Sequence, residues 1–387
     1  MLGVALAMLF RDKAKFFGII MGVTLASLVI TQQGAIFLGL MSRTYAAISD
    51  MGDPDIWVMD AKVQFIDDIK PLQDTSLYRV RGVEGVAFAA PLYKGMIRAR
   101  LDNGQFQNCV VIGLDDSTLT GGPPSMIEGR LEDLRQSDAV IVDLVGATEK
   151  LWKPGPDEAT PRVPLAVGDS MELNDRRGIV VGISNNTRSF QSQPTIYTTY
   201  SRAKNFAPAE RKMLSFVLVK AAAGADIPAL CERISAATGL AAYTRDQFKA
   251  KTVTYFLENT GIPINFGIAV ALGFIIGTVI TGFMFFSFTL DNMRYFGTLK
   301  AMGTTDTRLL GMIMLQALAV GVIGFGIGVG LASWFGTVVP KKTPLAFVMP
   351  WQLLFVSASA VVVICVLAAT LSIRKVIKLE PAVVFKG

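Results

Sequence analysis

Histidine is absent from the chain. That removes the commonest general base, the base of Ser-His-Asp triads and the commonest metal ligand. Cysteine is scarce: Cys109, Cys231 and Cys365 are the only three, and none belongs to a CxxC pair, which argues against a zinc site. Cys365 lies in an apolar run. Cys109 and Cys231 lie in a region of soluble character, and separate buried thiols are preferred there to a disulfide. No Gly-Lys dipeptide occurs, whereas a P-loop needs Gly-Lys-Ser/Thr so that backbone amides and a lysine hold the phosphates. A P-loop ATPase is thereby excluded, and no catalytic, cofactor-binding or metal-binding constellation remains. Charge is also in deficit. Charged residues make up 18% of the chain and hydrophobic ones 51%, against roughly 25% charged in soluble domains.

The apolar residues are concentrated in four runs, 16–41, 263–290, 309–339 and 351–373, none of which contains Asp, Glu, Lys or Arg. Each exceeds the ~20 residues a helix needs to cross ~30 Å of hydrocarbon. The first is about twice as long as a signal-peptide core, so it reads as a retained anchor. Residues 2–10 before it are apolar and suit a short interfacial helix. The expected fold is an integral membrane α-helical protein with four transmembrane helices in a one-plus-three arrangement. A large α+β extracytoplasmic domain is inserted between the first and second.

The net charge of +6 is placed around these runs, favouring lipid headgroups and topology over nucleic acid. Arg11, Lys13 and Lys15 precede the first run, Arg294, Lys300 and Arg308 separate the second from the third, and Arg374, Lys375, Lys378 and Lys386 follow the fourth. The positive-inside rule puts all three clusters in the cytoplasm, with Lys341 and Lys342 a minor exception. The chain then divides into a cytoplasmic segment 1–15, span 16–41, extracytoplasmic domain 42–262, span 263–290, cytoplasmic helix 291–308, span 309–339, outer loop 340–350, span 351–373 and cytoplasmic tail 374–387. The domain 42–262 reads as short strands and turns, in one or two lobes. Residues 86–101 supply one or two strands, and residues 153–164, with Pro154, Pro156, Pro161 and Pro164, an exposed loop. Residues 226–238 form an amphipathic helix, and 246–258 a stalk helix running directly into the second span.

Without ionisable residues in the spans, a proton- or sodium-coupled transporter is disfavoured. Small residues recur at four-residue spacing instead, at Gly18 and Gly22, Gly273 and Gly277, and Gly324 and Gly328. Such faces let helices approach closely, here within one subunit in preference to across a dimer. In the segment 291–308, Met293, Phe296, Leu299 and Met302 recur at helical spacing with Arg294 and Lys300 between them, and Gly303 suits a helix end. This stripe fits either an interfacial helix resting on lipid or a docking element.

The same segment resembles the coupling-helix motif of MacB/FtsX-type (type VII) ABC permeases. Gly297, Leu299, Lys300, Ala301 and Gly303 match, and Tyr295 stands where the family usually has glutamate. Arg374, Lys378, Leu379, Glu380 and Pro381 resemble the family's carboxyl-terminal signature. Glu128-Gly129-Arg130, Ala139-Val140-Ile141-Val142, Val167-Gly168-Asp169 and Val180-Val181-Gly182 resemble its extracytoplasmic domain. The resemblance covers essentially the whole chain and is greatest to DevC-like permeases without a fused ATPase. It implies a homodimeric permease subunit in the bacterial inner membrane, with a separate cytoplasmic ABC ATPase bound at Met293, Arg294, Phe296, Gly297, Leu299, Lys300, Ala301, Met302 and Gly303. Further implied partners are a periplasmic adaptor, an outer-membrane duct and membrane lipid. The family also contains FtsX-like transducers that regulate cell-wall hydrolases and LolC-like extractors of lipid or lipoprotein.

Overall fold

The computed structural model describes residues 2–101, 104–155, 162–208 and 213–377. Lys378, Leu379, Glu380, Pro381 and Lys386 of the carboxyl-terminal signature lie outside the described residues, as do Pro156 and Pro161 and the side chains of Lys341, Lys342, Arg374 and Lys375. The chain forms two compact units, Met1–Leu40 with Gly261–Gly387, and Met41–Thr260.

Along the chain come α1 (Leu2–Arg11) and α2 (Lys13–Thr44), then the inserted domain: α3 (Ala46–Asp50), β1 (Ile56–Met59), α4 (Thr75–Arg81), β2 (Val86–Arg100), β3 (Phe106–Leu114), β4 (Met126–Glu128), β5 (Ala139–Asp143), β6 (Lys153–Pro154), β7 (Arg162–Val163), β8 (Ser170–Leu173), β9 (Arg176–Ser184), β10 (Thr195–Thr199), α5 (Tyr200–Phe206), β11 (Phe216–Ala221), α6 (Ile227–Thr238), β12 (Ala241–Thr244) and α7 (Arg245–Asn259). The chain closes with α8 (Ile262–Asp291), α9 (Met293–Ala301), α10 (Asp306–Lys342) and α11 (Trp351–Ile377). Among the described residues four helices are long and apolar enough to cross a membrane, one before the inserted domain and three after it.

Asp12 breaks the amino-terminal helical stretch in two, because its carboxylate accepts the Lys15 backbone N–H at 3.2 Å and caps α2. Two expectations change. The stalk does not run unbroken into the second span: α7 ends at Asn259 and α8 starts at Ile262. Pro263 disfavours a helical residue before it, yet its missing N–H costs nothing in the first turn of a new helix. Conversely, α10 continues through Pro340 to Lys342. Gly39 and Gly336 then let Phe347 of the following loop approach, and Val348 donates to the Ala35 carbonyl at 3.0 Å.

The inserted domain is organised by β2, a single strand of 15 residues where one or two were expected. Its first half pairs antiparallel with β11, from Val86↔Ala221 to Leu92↔Phe216. Its second half pairs antiparallel with β3, from Tyr93↔Gly113 to Arg100↔Phe106. The sheet order is β12-β1-β11-β2-β3-β10-β5-β9-β4, with β8 pairing β2 and β9. The β3–β10 and β5–β9 pairs are parallel. One core, around Trp57, Phe216 and Phe248, runs beneath both halves, and separate cores fill each side. Asp226 caps α6 and Gly239, at φ +72°, ends it.

Asp143, at the end of β5, is buried and accepts the Thr195 N–H at 2.7 Å. Burial pushes its carboxyl up to about 6, against the pull of hydrogen bonds from the Thr195 and Gly146 amides. The folded state therefore holds this proton more tightly than the unfolded chain. The resulting stability is fully present below the unfolded pKa near 4 and is lost as pH rises through about 6. Asp143→Asn keeps an accepting oxygen and removes the ionisation. Thermal melting of the full chain should show the variant gaining on the wild type by on the order of 2–3 kcal/mol between pH 4 and 7. Parallel pH profiles for the two proteins would refute the assignment.

Candidate functional site

The helix α9 is fastened at both ends. Asn292 is buried and donates its amide to the Phe288 carbonyl at 2.8 Å, closing α8. At the other end Gly303 takes φ +89°, and Gly303 and Thr304 donate back to Lys300 and Leu299 at 3.0 and 3.1 Å. This satisfies the terminal carbonyls in the manner of a left-handed helix cap. Lys300 then pairs with Asp306, the first residue of α10, at 2.9 Å. Lys15, at the start of α2, pairs with Asp291, at the end of α8.

The four-residue stripe does not face one way. Phe296 is fully buried in the subunit's own core with Gly297 also buried, and Met293 and Leu299 pack half-buried against that core. Met302 is 70% exposed and Tyr295 48%, while Arg294, Thr298, Ala301 and Gly303 are exposed too. So Phe296 and Gly297 hold α9 in place, and Lys300 is tied to α10 instead of standing free. The face left exposed is the one bearing Tyr295, Thr298 and Met302, which a 3.6-residue count cannot distinguish from the core-facing side.

Beside that face lies a cleft of about 530 Å³ between α1 and α9, lined mostly by apolar atoms of Val4, Met8, Tyr295, Leu299 and Met302. Sequence reasoning placed α1 on lipid. The structure buries its Ala5 and Leu9 in the core, and Gln316 of α10 donates to the Ala5 carbonyl at 2.7 Å. The i, i+4 spacing of Ala5 and Leu9 was the available signal.

The glycines are spent inside the subunit, where α2 runs against both α8 and α10. A Cβ on Gly277 would strike Ala26, and one on Gly22 would lie 2.8 Å from the Thr281 hydroxyl. One on Gly273 would lie 2.7 Å from Val29, on Gly324 2.7 Å from Val23, and on Gly328 2.6 Å from Ser27 and 2.8 Å from the Thr24 carbonyl. Gly18 is looser, facing the flexible Met284 at 3.1 Å. Thr31 and Ser357 add a buried hydroxyl pair at 2.7 Å between α2 and α11. Cys109, Cys231 and Cys365 are buried free thiols, and the described residues contain no cluster suited to a metal.

Residues 16–237 match the MacB-like periplasmic core domain and residues 267–381 the FtsX-like permease C-terminal region. The chain belongs to this family: it is a multi-pass membrane protein and an ABC transporter permease of the MacB/FtsX type. Two uncharacterized ABC transporter permeases, from two strains of Mycobacterium tuberculosis, are each 24% identical to it over 96% of this chain and 93% of their own. The periplasmic region of MacB from Actinobacillus actinomycetemcomitans aligns at 17% identity and TM-score 0.36 over 55% of this chain and 95% of that one. The extracellular domain of YknZ from Gram-positive bacteria aligns at 12% and 0.33 over 49% and 93%.

The packing of α2 predicts a contrast within α10. Gly328→Val should destabilise the detergent-solubilised chain by about 1–3 kcal/mol through overpacking. Gly326→Val, with nothing within 4 Å of its added Cβ, should leave the melting temperature near that of the wild type. Equal sensitivity at the two positions would contradict the packing described.

Proposed function

We propose that the chain is the membrane subunit of a two-copy ABC system of the bacterial inner membrane. A separate cytoplasmic ATPase docks on the Tyr295, Thr298 and Met302 face of α9 together with α1. Both termini are then cytoplasmic and the inserted domain is outside, as the basic residues around α1, α9 and the carboxyl end favour. The single observation that carries the reading is the apolar cleft between α1 and α9, with a largely exposed Met302 on a helix whose opposite side is locked into the subunit core.

Such a helix can transmit a push. Phe296 in the core, the Asn292 cap and the Lys300–Asp306 pair leave α9 little freedom to yield, so displacement at its free face is passed to α8 and α10. The inserted domain has matching handles on its two chain connections. Next to α2 in sequence, Asp50 of α3 accepts both the Thr187 N–H and hydroxyl, at 2.9 and 2.8 Å. Next to α8, α7 buries Phe248 against Trp57 and Phe216 and packs Phe256 against Phe65 and Phe190. ATP-driven motion of the spans would thus reach the sheet through buried aromatic contacts instead of through a polar channel. The work delivered is export through a periplasmic adaptor and an outer-membrane duct. The chain itself supplies no chemistry; ATP hydrolysis belongs to the partner.

Burial of Met302 in a partner groove would contribute about 1.5–3 kcal/mol. An aspartate there would instead be a buried, unpaired charge at a cost of several kcal/mol. Met302→Asp should therefore weaken co-purification with the cognate ATPase more than about a hundredfold and abolish permease-stimulated turnover. Met302→Leu should retain both. Leu299→Asp is a poorer probe because Leu299 also packs on the core. Normal assembly and turnover with Met302→Asp would show that this face rests on lipid.

A further inference from the structure

Gln316 places an amide inside an apolar core. It lies fully buried in α10, and Ile313 and Val320 on the same helix face belong to the core that also holds Ala5 and Leu9 of α1. Its Nε2 donates to the Ala5 carbonyl at 2.7 Å, while its Oε1 is buried and has no partner among the described residues. An unpaired buried oxygen costs free energy, so an apolar side chain of the same length would stabilise this site at least as well. What an amide adds is direction.

Direction is what α1 otherwise lacks. The helix is 10 residues long and Asp12 breaks it from α2, so its order comes from packing instead of from its own length. Ala5 and Leu9 pack into the core with Met8 half-buried beside them, and apolar burial is non-directional. A hydrogen bond, by contrast, accepts a narrow range of length and angle. Gln316 reaches the backbone where α1 presents the methyl group of Ala5. A slip of one turn, about 5.4 Å, would set the bulkier Leu9 there instead. Among the described residues no other side chain hydrogen-bonds to α1. We propose that Gln316 is a positioning residue whose amide fixes the register of α1 on α10.

The register matters because α10 also holds the other wall of the apolar cleft, through the Asp306–Lys300 pair with α9. Val4 and Met8 come to the cleft from α1, and Tyr295 and Met302 from α9. Both walls are thus referred to one helix, one by an ion pair and one by the Gln316 amide. Without the amide, α1 stays attached by its apolar residues but spreads over several registers, of which one matches α9. The effect on docking rests on the reading of this cleft as the ATPase site; the register of α1 does not.

The test compares Gln316→Met, which keeps length and removes the amide, with Leu9→Ala, which keeps the amide and trims apolar packing. Spin labels go on the full-length detergent-solubilised chain at Gly3 and Gly330, exposed positions with nothing within 4 Å of an added Cβ. Pulsed dipolar spectroscopy should give one narrow distance for the wild type and for Leu9→Ala. Gln316→Met should give a distribution that is broad or displaced by up to about 5 Å, one helical turn, with a melting temperature no lower than that of the wild type. In a titration with the cognate ATPase, Gln316→Met should raise the concentration for half-maximal stimulation about tenfold and keep the maximal turnover, as expected if about one chain in ten holds the matching register. The wild-type distance in Gln316→Met would overturn the proposal. So would a broadened distance in Leu9→Ala, a readout that stands even if the methionine variant misfolds. A displaced α1 with unchanged ATPase affinity would confirm the role of Gln316 and refute α1 as part of the docking face.

Discussion

The membrane unit depends on how closely α2 approaches α8 and α10. Between helices in lipid there is no hydrophobic effect to exploit, since the tails outside are as apolar as the side chains inside. The spans carry no charges either. What remains is dispersion at short range and a few hydrogen bonds, and both require that backbones come near. Gly22, Gly273 and Gly277 allow this on one side of α2, and Gly324 and Gly328 on another. The Thr31–Ser357 hydroxyl pair uses the same proximity towards α11. A helix gripped on several sides moves with its neighbours, which is the property required of a transmitting element.

The same logic extends to the surfaces at the helix ends. There the subunit turns from small residues to aromatic and ionic fasteners: Phe296 in the core, Lys300 to Asp306, and Lys15 to Asp291. Tyr295 and Met302 are left outward on a helix that is otherwise committed. In the inserted domain the chain connections are secured by the Trp57, Phe216 and Phe248 cluster and by the bonds from Thr187 to Asp50.

Much of this was legible in the sequence because lipid imposes simple rules. A span needs length and an absence of charge, so the four apolar runs stand out, and a glycine every fourth residue marks a close face. The helix ends were less legible. In residues 246–263 only Gly261 and Pro263 signal the break before α8, and Pro340 suggests an end that α10 overruns. In α9, Phe296 and Met302 have the same apolar character, and only the neighbouring α1 and α10 decide that one is core and the other exposed. The sheet was least legible. Local alternation gives strands but not partners, so neither the parallel pairs nor the change of neighbours along β2 has a local signature.

The central claim is that nucleotide-driven motion at α9 reaches the inserted domain. Distances between spin labels at Glu84, an exposed position in that domain, on two copies assembled with the ATPase in nanodiscs would test it most directly. Pulsed dipolar spectroscopy with and without ATP under non-hydrolysing conditions should show a shift in the distance distribution that reverses on nucleotide removal. An unchanged distribution in a complex that binds and hydrolyses ATP normally would contradict the account.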